Sequence, residues 1–424
     1  MNLITWAILI LLATIPAWIF KKYLKVETSG PIVLWRTKKG KGLVKKLAKY
    51  SFFTYLADLG LIFSFGVFGA LYLMYSKEHK HNFKKTIIMY LIFIISAIAF
   101  VEPTTFMGKI SHLDFLTSLF LTGFGGFVFY SLIWSTWLVI SQYLSGGHPI
   151  PMVQPIIPGV DIPGAPIKVP LSALIGMVLL IIVHEFSHGI VAIREKIKLK
   201  SLGLATLGIF PIGAFAEPDE KQLEKASMKK RTRVYSAGSM ANFALAAIFL
   251  IILIPSTAIL TPSLANDYKT KIITVEPNSP ADLAGLKPGM ELYGLNFVNE
   301  KKTPNTPITL KTSEGKKQVM RNNKGMIGIT YDTHFQLASN KLSHWLKYYY
   351  LEIITWTGLL NLLVGMFNYL PFAIFDGARI FEDLINFFNK TLGRKGKPGR
   401  KWLKATTWIL IIMFVINFLP YFIK

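Results

Sequence analysis

Eight runs of mostly apolar residues, each near the length of a membrane-crossing helix, punctuate this chain: 3–20, 52–75, 86–101, 115–144, 171–194, 239–260, 346–370 and 403–422. A hydrocarbon core about 30 Å thick is crossed by ~20 helical residues. In that solvent every backbone amide and carbonyl needs an internal partner, so such runs become helices, not loops or open strands. The pattern predicts a polytopic α-helical membrane protein with about eight transmembrane helices. The third run is short, and the fourth can tilt or break at Gly123, Gly125 and Gly126. Composition agrees: 52% of residues are hydrophobic and only 17% charged. The first run has no basic segment ahead of it and no small-x-small cleavage site, so it reads as a retained helix rather than a signal peptide.

The formal charge of +24 lies between the apolar runs. That distribution suits cytoplasmic loops, which carry excess Lys and Arg. It does not call for a nucleic-acid partner. Residues 21–49, 194–233 and 390–404 are the basic segments, whereas 145–170 holds only Lys168. Placing the basic segments in the cytoplasm puts 145–170 and 261–345 outside, together with both termini. The basic loop 77–85 would then also face out, which leaves the orientation of the first three spans open.

Four regions are expected. Residues 1–150 hold N-terminal spans of unassigned role. Residues 151–262 and 341–424 hold the two parts of a membrane core, and 263–340 form a small inserted unit. Within 148–170, Pro155, Pro158, Gly159, Pro163, Gly164 and Pro166 forbid a helix or central strand. This segment is either a cover at the membrane surface or a linker. Residues 271–331 have a soluble composition. Strand character at 272–276 and 326–330 brackets a short helix, with Ser279 as its N-cap, Pro280 in its first turn and Gly285 ending it. This order, with the turn Gly-Leu-Lys-Pro-Gly at 285–289, resembles a PDZ domain and implies an α+β fold for the unit.

Chemistry concentrates where the fifth run ends, in His184-Glu185-Phe186-Ser187-His188. Four residues on a helix turn about 400°, so the two imidazoles project from one face and can chelate one metal. Glu185 lies about 100° away, within reach of a metal's water. With no Cys in the chain, ligands must be His, Asp or Glu. Zinc suits nitrogen and oxygen donors and needs no redox change. Ionisable groups inside a span are costly and point to function. A catalytic zinc takes three protein ligands. His79, His81, His112, His148, His334 and His344 share no helical spacing with the pair. Asp376 is the better candidate. It follows an apolar run that crosses in the same direction as the one carrying His184, so both lie at comparable depth. Its alternative is to cap the helix that follows.

These motifs resemble the site-2 protease family of zinc intramembrane proteases. His184, Glu185 and His188 match its first motif. Asn368 and Pro371, followed by Asp376 and Gly377, match its second. Gly238-Ser-Met-Ala-Asn242 matches its small-residue motif. The likeness covers roughly residues 151–424. It implies one zinc ion per chain held by His184, His188 and Asp376, with Glu185 as general base and then acid. It implies that Asn242 and Asn368 help hold substrate, although Asn242 also reads as an interhelical hydrogen bond. The Gly-rich segment 201–217 resembles the family's hairpin beside the active site, with Gly213, Ala214 and Phe215 facing substrate. An open strand edge there could take an unwound peptide by β-augmentation. The implied activity is regulated intramembrane proteolysis of transmembrane protein substrates in the lipid bilayer of the cell membrane. The zinc site would lie towards the cytoplasm and the PDZ-like unit outside, as a size filter or docking site. The competing readings are a membrane-anchored zinc metalloprotease acting on soluble or misfolded chains, a zinc transporter, and a non-catalytic scaffold. The oligomeric state is left open.

Overall fold

The computed structural model describes residues 3–422, except 30–31, 39, 80–82, 102–111, 148, 163–166, 208–209, 295–302, 333–335 and 340. Each of the apolar runs is mostly helical. In chain order the helices are α1 (Leu3–Leu24), α2 (Lys41–Leu47), α3 (Phe52–Tyr75), α4 (Phe83–Val101), α5 (His112–Leu144), α6 (Ala173–Arg194), α7 (Glu220–Lys225), α8 (Met228–Leu264), α9 (Pro280–Leu283), α10 (Leu342–Phe367), α11 (Asp376–Thr391) and α12 (Gly399–Phe418). Among the described residues, six are long and apolar enough to cross a membrane: α3, α5, α6, α8, α10 and α12. The first and third runs are also helical, as α1 and α4.

Two glycine breaks bend the N-terminal bundle. α5 leaves helical geometry at Gly123, as its sequence allows, and α3 does so at Phe65 and Gly66. Gly66 and Gly123 both have positive φ, and a Cβ on Gly123 would lie 2.5 Å from the Gly66 nitrogen. The two backbones therefore touch where they break, a contact that only glycine permits.

α8 differs from its expected span. It starts at Met228, well before residue 239. Hydropathy assigns the cationic stretch 229–233 to a loop, yet it stays helical because its charges have partners. Arg231 pairs with Asp383 of α11 at 2.5 Å. Arg233 pairs with Asp58 of α3 at 2.6 Å and with Glu195 at 2.8 Å. The Asp58 pair ties the N-terminal bundle to α8, and the others tie α8 to α11 and to the end of α6. Packing reinforces the tie: Phe243 of α8 meets Phe63 of α3 at 5.1 Å, Phe124 of α5 at 4.6 Å and Tyr369 at 5.9 Å between ring centroids. Buried aromatic groups of this size contribute heavily to a core.

The hairpin expected at 201–217 is β3 (Leu199–Leu207) paired with β4 (Phe210–Pro218). It is larger than expected. β1 (Glu27–Ser29) and β2 (Ile32–Thr37), from the segment read as a basic loop, extend it into an antiparallel sheet of order β1-β2-β3-β4. Leu34 faces Ala205 and Arg36 faces Gly203. β4 is an edge strand.

The inserted unit holds β5 (Tyr268–Val275), β6 (Glu291–Tyr293), β7 (Pro307–Thr312), β8 (Gly315–Met320), β9 (Ile329–Tyr331) and β10 (Gln336–Leu337). The sheet order is β10-β5-β6-β7-β8, with β9 also paired to β5. Ser279 caps α9 by accepting from the Asp282 amide at 3.3 Å, and Gly285 follows with positive φ, as read from sequence. Ile272, Leu286, Leu292, Ile308, Leu310 and Val319 form a core of the unit's own.

The Pro- and Gly-rich segment is a built loop. The Gln154 side chain donates to the Ile167 carbonyl at 2.8 Å and accepts from its amide at 2.9 Å. Ile156 packs against Val169 and Ala173 at the start of α6 and against Leu360 of α10. Pro163, Gly164 and Pro166 lie outside the described residues.

Candidate metal centre

α6, α8 and the loop after α10 converge on one point. His184 and His188, one turn apart on α6, bring their Nε2 atoms to 3.1 Å. Oδ2 of Asp376 lies 3.2 Å from His184 Nε2 and 3.1 Å from His188 Nε2. Both histidines are buried. Among the described residues this is the group of three His and carboxylate ligand atoms close enough to share one ion.

The donor set fits zinc. Ligand atoms about 2.0–2.1 Å from one tetrahedral ion stand roughly 3.3 Å from each other, close to the triangle seen here. The outer hydrogen bonds point the same way. His188 Nδ1 lies 2.7 Å from the Val234 carbonyl, which can only accept. The Nδ1 proton is thereby fixed, and the Nε2 lone pair turns to the centre. His184 Nδ1 meets the fully buried Asn242 side-chain amide at 3.1 Å. It is Nδ2 that faces the ring, and the buried Oδ1 has no partner; turning the amide over satisfies that oxygen, lets Nδ1–H donate and frees His184 Nε2 to ligate.

Asp376 begins α11, yet its carboxylate faces the histidines and makes no cap. The loop before it is closed by the Gly377 amide, which donates to the Asn368 carbonyl at 2.7 Å. A Cβ on Gly377 would lie 2.1 Å from the Tyr369 carbonyl oxygen, so glycine is required for this closure. Gly238 does similar service on α8: a Cβ there would lie 2.3 Å from His188 Nε2 and 2.6 Å from His184 Nε2. Sequence reading placed Gly238 within a small-residue motif; its place against both imidazoles comes from the structure.

Glu185 sits beside the triangle on a cleft of about 420 Å³, which is also lined by Gly213, Ala216, Tyr235 and Asn368. Its Oε2 accepts from the Ala216 amide of edge strand β4 at 3.0 Å. Ala216 carried no signal in the sequence. Gly213 reaches the cleft. Ala214 pairs with Leu204 in the sheet. Phe215 packs over Gly203 and under the Arg36 guanidinium, 5.3 Å from its ring centroid.

The remaining histidines stay away. His79 is buried beside Asp58 at 3.5 Å and edge-on to Tyr72. His344 pairs with Asp267 at the base of the inserted unit. His81, His148 and His334 lie outside the described residues, as does the side chain of His112.

Comparison with known proteins agrees with this centre. Residues 172–400 match the model of peptidase family M50. An uncharacterized protein of Methanocaldococcus jannaschii is 30% identical over 259 residues, which are 57% of this chain and 63% of that protein. A Vibrio cholerae protein named "Putative zinc metalloprotease" is 28% identical over 159 residues, covering 30% of this chain and 33% of its own length. The chain thus spans less than two thirds of each of these relatives. The matched segment contains α6, α8 and Asp376, the three parts of the centre, and it makes this chain a multi-pass membrane member of peptidase family M50, the site-2 protease family.

Proposed function

We propose that this chain is a zinc-dependent intramembrane endopeptidase. It hydrolyses a peptide bond within or near the transmembrane segment of other membrane proteins, in regulated intramembrane proteolysis. The observation that carries this reading is the His184–His188–Asp376 triangle, with Glu185 beside it and both histidines buried on a helix long and apolar enough to cross a membrane.

His184, His188 and Asp376 would hold one zinc ion. When bound, zinc lowers the pKa of a water towards 7 and polarises a carbonyl. Glu185 takes the proton from the attacking water and returns it to the leaving amine. Asn242 orients His184, and that positioning role accounts for its burial better than substrate contact does. Asn368 steadies the Asp376 loop through its backbone and lines the cleft.

A peptide bond inside a helix is shielded by its own hydrogen bonds, so the substrate must unwind. β4 offers an edge for the unwound segment, and the Ala216 amide now on Glu185 lies on that edge. The zinc site faces the cytoplasm, the inserted unit is a PDZ-like domain outside, and α1 and α4 complete eight spans. The PDZ-like domain and the Gln154–Ile167 loop then stand over the outer ends of α6 and α10 as a filter.

The test is cleavage of a model single-span protein by the full chain in lipid vesicles, with zinc measured on the same sample. Wild type should cut and carry about one zinc. Glu185→Ala should keep zinc and stop cutting. Full-rate cutting by Glu185→Ala would refute the mechanism. Faster cutting of an unfolded soluble protein would move the assignment to a membrane-anchored protease of soluble chains.

A further inference from the structure

A second feature lies on α12, outside the metal centre. Arg400, Lys404, Trp408 and Ile411 follow at helical spacing and form one stripe that descends from the start of this span. Arg379 of α11 faces the top of the stripe across a cavity of about 310 Å³. Ile411, at its lower end, also lines a second cavity of about 470 Å³, walled by Phe372, Phe414 and Phe418. The two cavities make a groove that is cationic at one end and apolar at the other.

The cations are poorly neutralised. Arg379 is more than half exposed, and its ion pair with Glu382, which also lines the cavity, is long at 3.8 Å. Among the described residues, Arg400 and Lys404 have no ion-pair partner. Trp408 is 67% exposed one turn below Lys404. Trp is favoured at the depth where headgroups give way to acyl chains. Basic pockets between helices at that boundary suit acidic headgroups.

We infer that this groove binds an anionic phospholipid, with its phosphate among Arg379, Arg400 and Lys404 and one acyl chain along Ile411 and Phe414. A free phosphate ion would leave the apolar half unfilled. An apolar helix would leave Arg400 and Lys404 unpaired. The site abuts the loop that carries Asp376: the Ala373 amide donates to Thr407 at 3.2 Å, and Thr406 donates to the Pro371 carbonyl at 3.1 Å.

Trp408 supplies the readout. The full chain is reconstituted in phosphatidylcholine vesicles containing a small share of phosphatidylglycerol or phosphatidylcholine with brominated chains. The Trp408 signal is taken as the difference from Trp408→Phe. Half-quenching should need about tenfold less brominated phosphatidylglycerol than brominated phosphatidylcholine. The Arg379→Gln/Arg400→Gln/Lys404→Gln variant should lose that preference while retaining its zinc. Millimolar inorganic phosphate should leave the preference intact. Equal quenching by the two lipids, or an unchanged preference in the triple variant, would overturn the site. Full displacement by phosphate would make it an ion site. Displacement by an uncharged single-span peptide, equally in wild type and triple variant, would assign the groove to a helix.

Discussion

The two sheets of this protein are held in opposite ways. The sheet β5–β10 closes around its own core of Ile272, Leu292, Ile308, Leu310 and Val319, all drawn from one continuous segment. Among the described residues, the sheet β1–β4 has no such core. Leu199 and Leu202 of β3 pack with Val44 of α2 and Ile190 of α6, and its edge amide at Ala216 is given to Glu185. The first sheet keeps that core within its own segment and meets the helices only at its base, where Leu337 of β10 clusters with Leu264 of α8 and Leu351 of α10. The second is part of the metal centre's wall, and its shape depends on helices far away in sequence. Local closure suits a module that folds on its own segment; dependence on the core suits a strand that must sit at a fixed distance from Glu185.

This contrast predicts that damage will not spread between the two. The largest effect is expected at Gly238→Ala, where the new methyl would displace both imidazoles. Zinc affinity should fall more than about 100-fold, beyond the usual loss of an outer hydrogen bond, and cleavage should vanish. Limited proteolysis should still find residues 263–340 protected. Exposure of that unit would break the comparison.

Leu310→Ala should do the reverse. Removing a buried Leu costs about 2–5 kcal/mol, so proteolysis should open the inserted unit while zinc content stays at the wild-type level. Lost zinc would show that the two regions share a core after all.

Asn242→Ala should weaken zinc by about 10- to 100-fold, the range for a group that orients a ligand, which is about 1.4–2.8 kcal/mol. Excess zinc should restore most of the cleavage. A variant with normal zinc affinity and a raised KM would instead make Asn242 a substrate contact.

The smallest effect is a pH dependence confined to the inserted unit. Tyr293 and Lys269 hydrogen-bond the Glu291 carboxylate and lower its pKa. A carboxylate depressed in the folded state adds stability above its unfolded pKa near 4.5, and that stability is lost as pH falls through the lower folded value. Because Glu291 is partly open to solvent, which screens its partners, the loss should be slight. Glu291→Gln should flatten it, as seen in the unit's proteolytic protection between about pH 5 and 3. An unchanged profile in the variant would assign the dependence to another group.

Much of this was legible in one dimension. Apolar runs become helices because lipid offers the backbone no partner, and the spacing of His184 and His188 sets both rings on one face. Ser279, Pro280 and Gly285 punctuate α9 by local backbone chemistry alone. The start of α8 was misread because hydropathy counts Arg231 and Arg233 as loop charges and cannot know that Asp383 and Asp58 neutralise them. β1 and β2 were missed because short strands paired across about 170 residues leave no local period.

The sequence by itself therefore determined the membrane helices, the motif that can chelate a metal and the local order of the inserted unit. All of these rest on interactions within a few residues of each other or on the solvent's demand on the backbone. Tertiary structure alone decided that Asp376 faces the imidazoles instead of capping α11, that Gly238 clears space for them, and that the Ala216 amide meets Glu185. Each of those choices depends on atoms brought together from separate elements, and no spacing along the chain encodes where separate elements meet.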